Sequence, residues 1–468
     1  MPRYLVHAPL QNKTFIYSEL LASARYLNID LKFENPNLKI GEELNSPFFA
    51  CVLPSDEDAI SLAKRSPAIQ SVSHLLADGI NFDEFYQNCN KIASEHDIND
   101  GSFAVRVETC SKKLTNELRV QYIHELVENL HITSKVDLKN PDKTVILFLN
   151  YEERGDSAPL HIYAGVFMCN GNSKFVSNFP LNKRKFINTT SMEPSIALLS
   201  ASQGLCGPGK ITYDPFCGSG SLLVASASLG SHVIGSDYDL SSMYKNDNDW
   251  VGLNFDQYGL KGKFIDVFRC DVLTDVFRFN RCLDAIVTDP PYGIREKCVS
   301  KKKKSSKKSS ENPNDDDAAN EKEDANANNN DNDEPPSPLL PLLLRLYALA
   351  ARGLRLGGRL VFWLPCAYNL DAEAELPKQK ALKLISNSRQ TLSARYCRHL
   401  ITYEKIDDSE EAVNSKVEFN AMNASFLKLR DLVFQHFENT GKNRRERKKF
   451  AKQLKNKLSG IDQNDENN

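Results

Sequence analysis

Three carboxylates stand where apolar runs end: Asp214 in "KITYDPFCGSG", Asp237 in "HVIGSDYD" and Asp289 in "DAIVTDPPYGIRE". An acid at the C-terminal end of a buried strand lies where open α/β sheets bind their ligands. Asp214 opens a turn from Pro215 to Gly220, in which Gly218 and Gly220 let the backbone approach a ligand and reach dihedrals closed to other residues. Asp237 follows Asp214 by 23 residues, near the spacing of an acid that grips ribose hydroxyls. Two familiar phosphate-binding patterns do not fit. The dinucleotide pattern needs a third glycine where Leu223 stands, and "GLCGPGKI" has Ile211 in place of the magnesium-binding hydroxyl and leads into a strand instead of leaving one. The third acid, Asp289, is followed by Pro290 and Pro291, which carry no backbone N–H, and then by Tyr292.

These residues need a frame, and the pattern from about 180 to 300 supplies one. Its order is strand to Asp214, Gly-rich turn, helix from Ser221 to Leu229, strand from His232 to Gly235, strand 264–269 with Asp271 behind it, then the run into Asp289. That order predicts a parallel sheet with its ligands at the strand ends. Residues 1 to about 170 alternate β-type runs such as "RYLVHAPL", "FFACVLP", "SFAVRVETC" and "KTVILFLNY" with helical ones such as "DAISLAKRS" and "TNELRVQYIHELVENL". They predict α/β or α+β modules. The segment 299–338 holds a basic block, an acidic block and no apolar periodicity, and should be disordered. Because a helix at about 339–354 and the strand "GGRLVFWLP" resume after it, it is an insertion within a domain. A basic, polar tail, 436–468, closes the chain.

A chain of 468 residues is too long for one core. Its formal charge of −2 is an average over segregated basic and acidic segments, so it does not exclude a polyanionic partner. The eleven cysteines include no C-x2-C pair, which argues against a zinc site and for reduced, buried thiols, and no metal is expected. The N-terminus does not read as a signal peptide, and "PLLPLLLRLYALAARGL" is too short and too charged to span a bilayer. A soluble, cytoplasmic protein with no membrane association is expected; "RRERKK" would also suit nuclear import.

D-P-F-C-G-S-G at one strand end, an acid after the next strand and D-P-P-Y after a later one resemble the S-adenosylmethionine-dependent amino-methyltransferases. The resemblance implies that the turn cradles the methionine part of the cofactor, Asp237 holds the ribose and Asp271 the adenine amino group. Asp214, Pro215, Phe216, Gly218, Ser219 and Gly220 would line that site. At the other end, Asp289 and the Pro290 carbonyl would accept the hydrogens of a base's exocyclic amine, so that its lone pair faces the methyl group. Pro290 and Pro291 fix the direction of that carbonyl, and Tyr292 would stack on the base. Orientation and electrostatics would supply the rate, without a covalent intermediate.

D-P-P-Y also occurs in enzymes acting on DNA, so other segments must indicate the substrate. "FPLNKRKFINTTSMEPSIALLSASQG", "DPPYGIRE", "GGRLVFWLP" and "LISNSRQTLSARYCRHLITYEKI" together resemble the eukaryotic tRNA (guanine(10)-N2)-methyltransferase family, and "SKVDLKNPDKTVILFLNY" resembles the end of a THUMP domain. The resemblance implies a ferredoxin-like module at 1–55, a THUMP-like RNA-binding domain at 56–170 and a Rossmann-like class I methyltransferase domain at 179–435. It further implies tRNA as substrate and a small zinc-binding activator subunit as partner. Phe186, Thr190, Ser191 and Met192 match the family's cofactor segment; Lys183, Arg184, Lys185 and Arg295 are candidate tRNA contacts. Two alternatives stay open: an amino-methyltransferase acting on rRNA, DNA or a protein glutamine, and a non-catalytic tRNA-binding scaffold.

Overall fold

The computed structural model describes residues 2–9, 11–34, 46–92, 99–151, 158–274, 278–291, 339–366, 372–392, 397–419 and 425–428. The insertion 299–338, the tail 436–468, Tyr292 and Arg295 lie outside the described residues. The first sheet contains β1 (Arg3–His7), β2 (Lys32–Phe33), β3 (Phe48–Val52), β4 (Ser71–Gly79), β5 (Ser102–Cys110), β6 (Lys135–Val136), β7 (Lys143–Asn150) and β8 (His161–Asn170). Their order is β2-β3-β1-β4-β8-β7-β5-β6, so one continuous sheet crosses the division expected at residue 55. Strand β1 makes the junction, pairing antiparallel with β3 on one side and with β4 on the other.

Helices α1 (Lys13–Leu27), α2 (Asp56–Arg65), α3 (Phe82–Ile92) and α4 (Asn116–Asn129) accompany that sheet. Local chemistry sets the ends of α2. The Ser55 side chain accepts from the Asp58 N–H, Asp56, Glu57 and Asp58 occupy the first turn, and Lys64 and Arg65 the last, each sign matching the helix dipole. Helices α3 and α4 bury Phe85, Cys89 and Leu126 against Phe103, Val145 and Leu147.

The second sheet is built from β9 (Ile211–Asp214), β10 (His232–Asp237), β13 (Phe264–Arg269), β14 (Leu283–Thr288), β15 (Leu354–Cys366), β16 (Leu382–Thr391) and β17 (Cys397–Lys405). A small hairpin, β11 (Tyr244–Asn246) and β12 (Asp249–Trp250), lies outside it. The order β13-β10-β9-β14-β15-β17-β16 places β9 and β14 side by side in the middle. Strands β13, β10, β9, β14 and β15 are parallel, and β17 and β16 close the edge antiparallel. All six residues of β14 are buried, as a central parallel strand covered on both faces requires. Helices α5 (Pro194–Gln203), α6 (Ser221–Ser228), α7 (Gly252–Gln257) and α8 (Leu339–Gly353) belong to the same domain, α5 starting on a Glu193 cap with Pro194 in its first turn. No helix among the described residues is long and apolar enough to cross a membrane.

One apolar core joins the two sheets' layers. It runs from Tyr4, Phe15 and Leu62 through Ile196 and Leu198 to Val287 and Trp363. Helix α1 is the wedge: the Phe15 ring lies 5.7 Å from that of Trp363, and Thr14 Oγ1 donates to the Arg389 carbonyl. Fully buried Glu19 accepts from Ser202 of α5 at 2.7 Å and also from Ser23 and Ser66, while burial raises its pKa. The N-terminal layer is thereby fixed against the sheet that carries the three strand-end acids.

Candidate active site

Two of the acids lie at the ends of β9 and β14, adjacent strands at the point where the chain order reverses. Such a switch point splays the loops on either side and opens a crevice at the carboxyl ends of the strands. Asp214, 1% exposed, accepts from the Phe216 N–H at 3.0 Å and from the Thr288 hydroxyl. Thr288 immediately precedes Asp289, so one buried carboxylate ties the glycine turn to the D-P-P segment. Burial pushes the Asp214 carboxyl up to about 7; Asp237 and Asp289 add to the rise, against the two hydrogen bonds.

The turn is held from the neighbouring strand. The Cys217 N–H donates to the Ser236 carbonyl at 2.9 Å, and the Gly218 N–H donates to Asp237 Oδ2 at 2.9 Å. Asp237 Oδ1 accepts from the Asp239 N–H at 3.0 Å. Asp237 thus braces the glycine turn with one oxygen and its own following turn with the other. The glycines differ in role. Gly218, at φ +47°, would place a Cβ in open space, whereas Gly220, at φ +77°, would place one 2.5 Å from Val251 Cγ2. Gly218 thus leaves its backbone facing open space, and Gly220 allows the turn to close on α7's flank.

The segment before α5 folds under this turn. Ser191 Oγ lies 2.6 Å from Ser219 Oγ, and the Met192 N–H donates to Ser221 Oγ at 3.2 Å. Thr190 is exposed, and Glu193, not Thr190 or Ser191, caps the helix. Phe186 is fully buried among Leu223, Val224 and Phe255, with its backbone N–H and carbonyl both bound by the Asn254 side chain at 2.9 Å. Arg184 turns inward at 6% exposure, donating to Ser221 Oγ at 2.8 Å, while Lys183 and Lys185 are exposed. The expected surface cluster is therefore two lysines flanking a buried arginine. Asp271 follows β13 and accepts from the Leu273 N–H at 3.0 Å, a local turn bond that coexists with a place beside Asp237, whose carbonyl accepts from Cys270 N–H at 2.9 Å.

At the other side of the crevice Asp289 is partly exposed and Pro290 buried. Arg398, at the start of β17, brings Nη1 to 3.5 Å from Asp289 Oδ2 and lies over the Trp363 ring at 4.2 Å from its centroid. Sequence reasoning missed Thr288, Trp363 and Arg398. Thr288 is hidden in an apolar run, and the other two reach the site only through strand pairing in the second sheet.

The family model described as "Tmrp11 THUMP N-terminal domain" matches residues 2–173, and "RMKL-like, methyltransferase domain" matches residues 182–307. Curated relatives carry the name tRNA (guanine(10)-N(2))-methyltransferase TRMT11. The Homo sapiens protein is 32% identical over 78% of this chain and 81% of its own. The Gallus gallus protein is 30% identical over 79% of this chain and 81% of its own, and the Dictyostelium discoideum protein 29% identical over 89% and 84%. With two matched domain families in this order and this identity across both, the chain belongs to the tRNA (guanine(10)-N(2))-methyltransferase family.

Proposed function

We propose that this enzyme transfers a methyl group from S-adenosylmethionine to the exocyclic N2 of guanosine 10 in tRNA, by direct in-line attack of the amine. The observation that supports this reading most is the buried link from the glycine turn through Asp214 to Thr288, which ties that turn to the D-P-P segment. Bound S-adenosylmethionine supplies a sulfonium-activated methyl, and transfer forms a nitrogen–carbon bond as the carbon–sulfur bond breaks to a thioether. The chain's part is to hold and orient. Asp214, Pro215, Phe216, Gly218, Ser219 and Gly220 form the cradle, Asp237 takes the ribose hydroxyls, and Asp271 the adenine amino group. Open space at Gly218 and the position of Asp237 at the end of the neighbouring strand, bonded to the Gly218 N–H, support this assignment. Ser191 and Met192 brace the cradle from below, with Thr190 beside them and Phe186 packed behind.

Asp289 and the Pro290 carbonyl accept the two amine hydrogens. Conjugation into the ring makes a free amine of this kind a poor nucleophile, and acceptors in the plane of the base leave the lone pair facing out of it. Once nitrogen has gained the methyl, it sheds a proton readily, and Asp289 lies within reach to receive it. Tyr292 is assigned to stack on the base and Arg295 to contact the tRNA, together with Lys183 and Lys185.

The domain assignment is 1–55 ferredoxin-like and 56–170 THUMP-like and tRNA-binding, the two sharing one sheet, and 179–435 catalytic. We read the chain as the catalytic subunit of a heterodimer with a small zinc-binding activator, working in the cytoplasm. Strand β13, which pairs on one side only among the described residues and leaves Ile265 half exposed, is a feature that supports a docked partner. Incubating the chain and its activator with methyl-labelled S-adenosylmethionine and tRNA, rRNA, DNA or protein tests the reading. Label is expected in tRNA alone; label in another polymer and none in tRNA would remove the substrate assignment.

A further inference from the structure

An acceptor pair such as Asp289 and the Pro290 carbonyl holds an amine but does not identify its base, since adenine N6 and cytosine N4 offer the same two hydrogens. Discrimination requires a group that meets the atoms beside the amine. Arg398 stands beside Asp289. It faces Pro365 across the β15–β17 pairing, at the end of the sheet where β14 delivers Asp289. Its Nε donates to Gln390 Oε1 at 2.7 Å and its guanidinium stacks on Trp363 at 4.2 Å, so the plane of the fork is set by two neighbours. Nη1 lies 3.5 Å from Asp289 Oδ2, long for a charge-assisted hydrogen bond, and both side chains are largely covered, 15% and 27% exposed. The guanidinium stays protonated, so this end of the site always presents a donor.

From Arg398 across Asp289 the groups read donor, acceptor, acceptor. Guanine's Watson–Crick edge reads O6 acceptor, N1–H donor, N2–H donor, its complement in the same order. Adenine offers an N6–H donor and then the N1 acceptor, and cytosine a donor followed by two acceptors; neither matches. We propose that Arg398 is the guanine-selecting residue, donating to O6 while the two Asp289 oxygens take N1–H and one N2–H. The Pro290 carbonyl takes the second N2–H. The inference rests on the reading above, that Asp289 holds the reactive amine.

The test compares tRNA bearing guanine at position 10 with tRNA bearing 2-aminopurine there, which keeps the N2 amine but lacks O6 and N1–H. The enzyme is the full chain with its activator, as wild type, Arg398→Met and Arg398→Lys, and kcat/KM is measured on both tRNAs. Arg398→Met is expected to lose roughly tenfold to a hundredfold on guanine, the discrimination of one good base contact, and to lose little on 2-aminopurine, so the ratio between them shrinks. Arg398→Lys keeps one charged donor and is expected to restore part of that ratio. Melting temperature and tRNA affinity accompany each variant, and if the methionine variant does not fold, the ratio for the lysine variant decides. Equal losses on both tRNAs would mean that Arg398 only braces Asp289, and would overturn the inference alone. A wild-type enzyme that labels some nucleoside other than guanosine 10 would overturn the functional reading, and the role of Arg398 with it.

Discussion

Asp214→Asn should change how the stability of the chain depends on pH. Asp214 is 1% exposed, and burial, with Asp237 and Asp289 nearby, moves its carboxyl from an ordinary 3.8 to about 7. The folded chain therefore keeps a proton at this site between about pH 4 and 7, where the unfolded chain has released it. The associated stabilisation is complete below about pH 4 and is lost as pH rises through 7. At 1.36 kcal/mol per pKa unit the whole effect is at most roughly 4 kcal/mol. Asparagine keeps an oxygen for the Thr288 hydroxyl and the Phe216 N–H but does not titrate. Thermal unfolding of cofactor-free wild type and variant, at intervals from pH 4.5 to 8, reads the difference. Wild type should lose ground to Asp214→Asn by several degrees across this window. Parallel curves would refute the buried-acid reasoning, and an opposite slope would mean that Asp214 is held ionised by a partner.

The two glycines of the turn should separate stability from ligand binding. Gly220→Ala places a Cβ 2.5 Å from Val251 Cγ2 at a φ of +77°, and is expected to lower the melting temperature by several degrees, a cost of roughly 2 kcal/mol. Gly218→Ala carries the left-handed backbone cost at φ +47° but meets nothing within 4 Å, so the melting temperature should fall by less than for Gly220→Ala while affinity for S-adenosylhomocysteine drops about tenfold by calorimetry. Equal affinity for Gly218→Ala and wild type would show that the ligand does not approach this backbone.

The catalytic half of the fold was legible where function is encoded locally. Asp214 and Asp237 end strands in the structure and Asp289 directly follows one, and α6 begins at Ser221 as expected. The N-terminal sheet was less legible. Strands such as "SVSHLLADG" in β4 are buried on both faces and carry no clean alternation, and α1 is flanked by Asn12 and Asn28 in left-handed conformations instead of a side-chain cap. That α1 would bury a glutamate against the catalytic domain depends on Ser202, 183 residues away. Arg184 shows the same limit: arginine is usually exposed, and only the tertiary placement of Ser221 and Tyr258 draws it inward. Arg398 reaches Asp289 across 109 residues through an antiparallel edge that no local pattern announces.

The central claim is that Asp289 orients the amine of guanosine 10 for attack. It is tested most directly by mapping methylated nucleosides in tRNA treated with wild type and with Asp289→Ala, alongside tRNA and cofactor affinities for both. Wild type should place N2-methylguanosine at position 10, and the variant should place none while binding tRNA and cofactor nearly as wild type does. Methylation by Asp289→Ala at the wild-type rate would contradict the claim.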